Sequence, residues 1–158
     1  PITGFEEGRP LVVRAPDSHF TLANLMRSLI FSALGTLKIG METLQKENVR
    51  IDQLFGHGGF FKTKEVGQRY AAAALETPVS VMETAGEGGA WGMALLAGYL
   101  RRAESGVTLD EFLNQDVFSA IEVTTQKPDP ADVESFAQFM ALYQAGLKIE
   151  RAAVENLH

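Results

Sequence analysis

Twice in this chain a short apolar run ends in glycines and gives way to a helical pattern. The first run, Ile51 to Phe55, leads into Gly56-His57-Gly58-Gly59. The second, Pro78 to Met82, leads into Gly86, Gly88 and Gly89. A strand that feeds a helix through a tight turn is the repeating step of an α/β domain with parallel pairing. The helix must carry the chain back across the sheet before the next strand can align. Glycine at such a turn lets the backbone come close to a ligand and point N–H groups at an anion. Two turns of this kind suggest a site for nucleotide phosphates.

The flanking segments fit the same architecture. From Phe20 to Gln45 the residues Leu22, Leu25, Met26, Leu29, Ile30, Ala33, Leu37, Met41 and Leu44 keep the three-and-four spacing of one apolar helical stripe. Helices are also expected over Glu65 to Leu75 and Ala90 to Ala103, the latter closed by Gly106. Thr108-Leu109-Asp110-Glu111 fits a capping box. Asp129-Pro130 sets a cap before a proline at the first helical position of a last helix running to Glu155. That helix turns Val133, Phe136, Ala137, Met140, Tyr143, Leu147 and Val154 toward the core. Strands are expected at Ile51–Phe55, at Val79–Met82 and at Leu11–Arg14, with Val117 to Thr125 strand-like or extended. No internal repeat or second domain boundary is visible, so residues 1–158 read as one domain.

Composition narrows the function classes. The net charge of −6 leaves no electrostatic footprint for nucleic acid. It does not oppose a phosphorylated ligand, because backbone amides and helix ends act locally. The absence of cysteine removes disulfides, thiolate metal sites and cysteine nucleophiles, and fits a reducing, cytoplasmic setting. The longest uninterrupted apolar runs are short, so no membrane span is expected.

The residues at the two turns admit two readings each. Gly58-Gly59 is either a bare turn or a ligand cradle. It is not a P-loop, since no Gly-Lys-Ser/Thr follows at the required spacing, nor a dinucleotide fingerprint, since Phe61 and Trp91 stand where third glycines belong. Lys62 either sits near a phosphate or is solvated. Thr63 either caps the following helix or touches the nucleotide base. His57 has no companion at metal spacing and reads as a turn residue. Glu83 and Glu87 read as surface or capping acids, because no nucleophile or base accompanies them. Trp91, Phe60 and Phe61 read as packing aromatics. The small residues Gly88, Gly89, Ala90, Gly92 and Ala94 imply close approach to a backbone or a ligand. No Ser-His-Asp, Cys-His or metal constellation can be assembled.

Three stretches, in order, resemble the C-terminal lobe of the FGGY carbohydrate kinases, most closely the xylulokinase-like members. Gly4 to Gly8 and the helix bearing Asn24 to Ser28 resemble the second family signature, with Phe31 where an acidic or amide residue is usual. Gly58-Gly59-Phe60-Phe61-Lys62-Thr63, with Gln68 and Ala71 downstream, resembles the Gly-Gly-x-x-Lys-Ser run, with Ala72 where the family often has Asp. Glu87 to Ala94 resembles the Gly-Ala-x-Gly-Ala-Ala segment, and Tyr143 to Val154 resembles the family's C-terminus.

The resemblance implies a partial ribonuclease-H-like (actin-like) lobe with a small mixed sheet and flanking helices. It implies ATP, with Mg not held by this lobe alone, bound at Gly58, Gly59, Phe60, Lys62 and Thr63. It implies part of a sugar kinase, for xylulose or a related ketose, that is inactive without the N-terminal lobe carrying the sugar pocket and catalytic aspartate. A non-catalytic nucleotide-binding or protein-interaction module of the same fold is the alternative, and a purely structural α/β domain a third. The ribonuclease-H arrangement places three antiparallel strands before the first long helix, and here there is room for little more than Leu11–Arg14. An uncovered strand edge is therefore expected either to pair with a second copy of the chain or to be covered by the amino-terminal segment.

Overall fold

The computed structural model describes residues 4–63 and 65–157, without the side chains of Ala85 and Glu87. The backbone divides into two compact units. One comprises residues 1–51, 70–76 and 128–158, and the other comprises residues 52–69 and 77–127.

The first unit is helical. Its two long elements are α1 (Leu22–Lys46) and α5 (Pro130–Asn156). Local chemistry sets their ends. The Thr21 hydroxyl accepts from the Asn24 amide at the start of α1, and the Asp129 carboxylate accepts from the Ala131 and Asp132 amides at the start of α5. Helix α1 ends on left-handed Asn48, with Val49 N–H returning to the Leu44 carbonyl and Asn48 N–H to that of Gln45. The core between α1 and α5 is aromatic. Phe31 sets its ring edge against Phe136 and Phe139, and also against Tyr70. Gly35 lets Met140 and Tyr143 approach to 3.3 Å of where a Cβ would stand.

This core corrects the expected stripe on α1. The buried residues are Phe31, Leu34 and Gly35, whereas Leu22, Met26, Leu29, Leu37 and Leu44 are exposed on the opposite face. The buried face also carries Asn24, Arg27, Lys38 and Glu42, so periodicity selected the more continuous apolar face opposite it. On α5, Phe136 and Met140 are buried as expected, but Ala137 is exposed. Helix α1 also passes, by length and composition alone, as long and apolar enough to cross a membrane, where none was expected from the short apolar runs. The window that passes is 17% buried.

The second unit holds the sheet, in the order β1-β2-β3. Strand β1 (Leu54–Gly56) runs parallel to β2 (Val79–Met82), with Leu54 opposite Val79 and Gly56 opposite Val81. Strand β3 (Val123–Gln126) pairs antiparallel to β2, with Val79 opposite Gln126. The sheet is therefore small and mixed, with the expected parallel pair. Ser80, fully buried on the central strand, meets Gln53 and Thr125 through its hydroxyl, so a polar side chain in the sheet interior is satisfied from both sides.

Helix α2 (Val66–Leu75) follows β1, and α3 (Gly88–Ala103) follows β2. Gly106 closes α3 as expected. It is left-handed, with Val107 N–H reaching the Arg102 carbonyl and Gly106 N–H that of Ala103. The Thr108–Glu111 capping box is present at the start of α4 (Leu109–Glu111).

Three expected strands differ. The first is shorter and shifted, Leu54–Gly56 in place of Ile51–Phe55. Residues 117–125 are not extended throughout. The helical path begun at the capping box runs on through 112–120, anchored by Phe112 against Tyr99 and Phe118 against Trp91, and only then does β3 begin. Leu11 to Arg14 forms no strand, and Leu11, Val12 and Val13 are exposed. A segment bounded by Pro10 and Pro16 with no ladder partner has nothing to hold it extended. Among the described residues β1 pairs only with β2, so its other edge carries no strand.

Candidate functional site

Both crossings from strand to helix lie in the second unit. After β1 the chain turns at Gly58, whose backbone (φ 95°, ψ −176°) belongs to a region that only glycine enters without strain. A tight turn over Gly59–Phe61 follows. The Phe61 and Lys62 amides close it onto the Gly58 and Gly59 carbonyls, both at 3.1 Å. The Gly58 and Gly59 amides take no part in those two bonds. A Cβ built on either glycine meets nothing within 4 Å. The turn that the sequence marks is therefore open on the side where these residues lack side chains.

After β2 the chain passes through a tight helical turn, Glu83–Glu87, straight into α3, and Gly88 already has helical angles. The two crossings touch. His57 lies against Gly88, 3.4 Å from where a Cβ would be, and Lys62 lies against Gly86 at 3.1 Å. Gly89 and Gly92 have open space above them. Close approach to another backbone therefore does not account for their smallness.

That open space is a cavity of about 620 Å³. His57 and Gly58 line it from the first crossing, Gly88, Gly89, Trp91, Gly92, Leu95 and Leu96 from the second, and Leu109, Leu113 and Phe118 close it. Its walls are apolar apart from His57 and backbone, and the Trp91 and Phe118 rings stand 5.8 Å apart there. A pocket with apolar walls and a few polar groups at one end is the usual form of a small-molecule site.

The five residues singled out by sequence do not converge on one cavity. Gly58 lines the apolar cavity, and Gly59 faces open space beside it. Lys62 lines a second cavity of about 650 Å³, with Glu65, Glu83 and Glu122 among its other walls. The Phe60 ring packs edge-on against Phe61 at 5.2 Å. Thr63 is exposed and does not cap α2, since the helix starts at Val66 and the preceding residue is Glu65. Of the two acids near α3, Glu83 opens the helical turn, its N–H donating to the Glu122 carbonyl, and the Glu87 side chain lies outside the described residues. Among the described residues no three His, Asp or Glu side chains are grouped to hold a metal ion.

Sequence reasoning missed the closing wall. Gly88, Gly89, Gly92, Leu95 and Leu96 share one helical face by spacing and were legible as a face. Leu113 sits in the helical segment begun at the capping box, and Phe118 in the stretch expected to be strand-like.

Comparison with known proteins gives one positive finding. No curated protein and no solved structure matched the chain. A family model did match, over residues 2–101: the C-terminal domain of the FGGY family of carbohydrate kinases. That domain has a ribonuclease-H-like, actin-like fold, in keeping with the small mixed sheet and flanking helices seen here. The matched stretch contains α1, both parallel strands, both crossings and most of α3, which is well over half of the chain, and the chain therefore belongs to the FGGY family of carbohydrate kinases.

Proposed function

We propose that this chain is the nucleotide-binding part of an ATP-dependent sugar kinase. The Gly58–Gly59 turn faces the phosphates, and the adjoining apolar cavity receives the rest of the nucleotide. The observation that carries the reading is the open turn. A glycine in a glycine-only conformation, followed by a second with free space above it, stands at the mouth of a cavity large enough for a small molecule. Phe60, Lys62 and Thr63 follow Gly59 directly in the chain, and on this reading they take the nucleotide from that side. FGGY kinases are phosphotransferases that use ATP. For this chain the acceptor is a ketose of the xylulose type, as the resemblance of its motifs suggests.

Phosphoryl transfer needs an in-line acceptor, a base near its hydroxyl and a cation on the phosphates. On this reading Mg is carried by the nucleotide and held with help from another lobe, as the resemblance implies. The base and the sugar pocket belong to an N-terminal lobe, and the chain alone is inactive.

Gly59→Val tests the reading. The Cβ of the new side chain meets nothing within 4 Å beyond its chain neighbours, and Gly59 has no left-handed backbone, so the fold should tolerate it. It would stand where a phosphate approaches. In the active kinase the Michaelis constant for ATP should rise about tenfold or more, with that for the sugar nearly unchanged. An unchanged ATP constant, or turnover of ATP with xylulose by the isolated chain, would overturn the respective half of the proposal.

A further inference from the structure

Two glycines near the open turn have neither of the properties used so far. Gly56 and Gly67 line neither cavity and are not left-handed, yet both are buried. Neither has room for a methyl group. A Cβ on Gly56 would stand 2.5 Å from Cε1 and Cζ of the Phe61 ring. On Gly67, in the first turn of α2, it would meet the Phe60 carbonyl oxygen inside the 3.0 Å that real Cβ atoms respect. Phe60 and Phe61 are consecutive residues of the 59–61 turn. One is seated through its backbone on the helix that follows, and the other through its ring on the strand that precedes.

The segment requires such seating. It begins at Gly58 with φ 95° and ends at Glu65 with φ 67°, a left-handed angle that is costly for a residue with a side chain. Backbone held in sparsely populated regions persists only where its surroundings over-determine it. We propose that Gly56 and Gly67 are positioning residues for nucleotide binding. By giving up their side chains they let Phe61 and Phe60 lock the turn, and the lock fixes where the Gly58 and Gly59 amides point. The proposal rests on the reading of those amides as phosphate-facing. It assigns no contact with the ligand to Gly56 or Gly67 themselves.

The experiment uses ¹⁵N-labelled protein, with MgATP as the probe. Gly56→Ala and Gly67→Ala should each move the Gly58 and Gly59 amide resonances in the ligand-free spectrum. Each should also weaken MgATP about tenfold or more, because a misplacement of about 1 Å at a reacting site can cost about a hundredfold. Gly146→Ala, on α5 with open space above it, should do neither. Phe61→Ala removes the ring that Gly56 seats, so in that background Gly56→Ala should cost no further affinity, a coupling visible as non-additivity.

Unmoved Gly58 and Gly59 amides, moved amides with unchanged affinity, or strictly additive Gly56 and Phe61 effects would each overturn the proposal. If the wild-type amides ignore MgATP, the phosphate-facing reading falls instead, and the ligand-free spectra still decide whether the two glycines seat the turn. A variant that loses its fold is recognised by collapse of spectral dispersion, and the Phe61→Ala background then decides.

Discussion

The two crossings in the second unit look alike in sequence and differ in physics. Each is a strand, a cluster of glycines and a helix. In the first, one glycine supplies a backbone angle, one supplies open space, and two supply room for neighbouring Phe60 and Phe61. In the second, every glycine lies outside the left-handed region, and the chain runs from strand to helix with helical angles at the junction. Its glycines serve only as missing side chains, against Lys62 and His57 or toward the cavity. A glycine-rich turn is thus not one device. Which job each glycine does is set by what approaches it.

The helices after the two crossings are held differently as well. Gln68, in the first turn of α2, is buried. Its amide nitrogen donates to the Val79 and Thr124 carbonyls, both at 2.7 Å, and its oxygen accepts from the Thr124 hydroxyl at 3.3 Å. One side chain therefore ties the helix to β2 and β3 together. Helix α3 has no fully buried residue, and beyond the ring contacts of Trp91 and Tyr99 its polar tie among the described residues is the surface pair Arg102–Asp116, with Nε to carboxylate at 2.9 Å.

The largest expected effect breaks this contrast at its stronger side. Gln68→Leu takes the donor from two carbonyls in the sheet and should lower unfolding free energy by about 3 kcal/mol, given about 1–3 kcal/mol for each orphaned buried group. Arg102→Ala should stay within about 1 kcal/mol, as exposed ion pairs do. Urea unfolding of both variants measures the difference. Equal losses would show that the two helices are anchored alike.

A smaller effect separates the glycines by their backbones. Gly58→Ala forces a side chain into a glycine-only region and should cost about 2 kcal/mol, within the usual range for such strain. Gly88→Ala meets only ordinary contact with His57 and has helical angles. It should be neutral or stabilising by up to about 1 kcal/mol through helix propensity. Thermal unfolding at one pH and concentration reads both. A Gly88 variant as unstable as the Gly58 variant would erase the distinction between the crossings.

What the sequence made legible follows the range of the interaction. The caps at Thr108 and Asp129 and the closing turn at Gly106 are fixed by groups a few residues apart, and all three are where the pattern places them. Strand Val79–Met82 matched to the residue, because β-branched side chains and flanking breakers bound it on both sides. The face that α1 buries was not legible. Leu22, Met26, Leu29, Leu37 and Leu44 make the more continuous apolar face, yet burial falls where Phe136 meets Phe31 and Met140 meets Gly35, from about a hundred residues away in the chain. The path of 117–120 was missed for a related reason. Phe118, read as strand-forming, is held in a helical turn by the Trp91 ring on α3. The candidate site was legible as a turn and illegible as a cavity. Gly58-Gly59 announces itself locally, whereas the cavity that Gly58 lines is assembled from three separate segments.

The smallest expected effect tests how the far wall of that cavity is held. Leu109 and Leu113 enter the cavity from the segment begun by the Thr108–Glu111 capping box. The Glu111 carboxylate accepts from the Thr108 backbone N–H at 2.9 Å and from the Thr108 hydroxyl at 2.8 Å. The backbone bond first, and the hydroxyl second, hold the Glu111 carboxyl below the ordinary glutamate range. The sign of the linkage follows. A carboxyl whose folded value is lowered binds fewer protons in the folded state than in the unfolded one, so its contribution to stability is fully present above the unfolded value. That contribution is lost as the pH falls through the lowered folded value. Glu111 is solvent-exposed, so the change is modest. It should appear first as a shift of the Thr108 amide resonance, with a midpoint below that of a free glutamate. Glu111→Gln should abolish that titration while leaving the Gly58 and Gly59 amides of the other wall unmoved at neutral pH. A Glu111 midpoint at or above the ordinary glutamate value would mean that the capping box is not formed in solution. The Leu109–Leu113 wall would then lack the local start that distinguishes it from the strongly anchored side at Gln68.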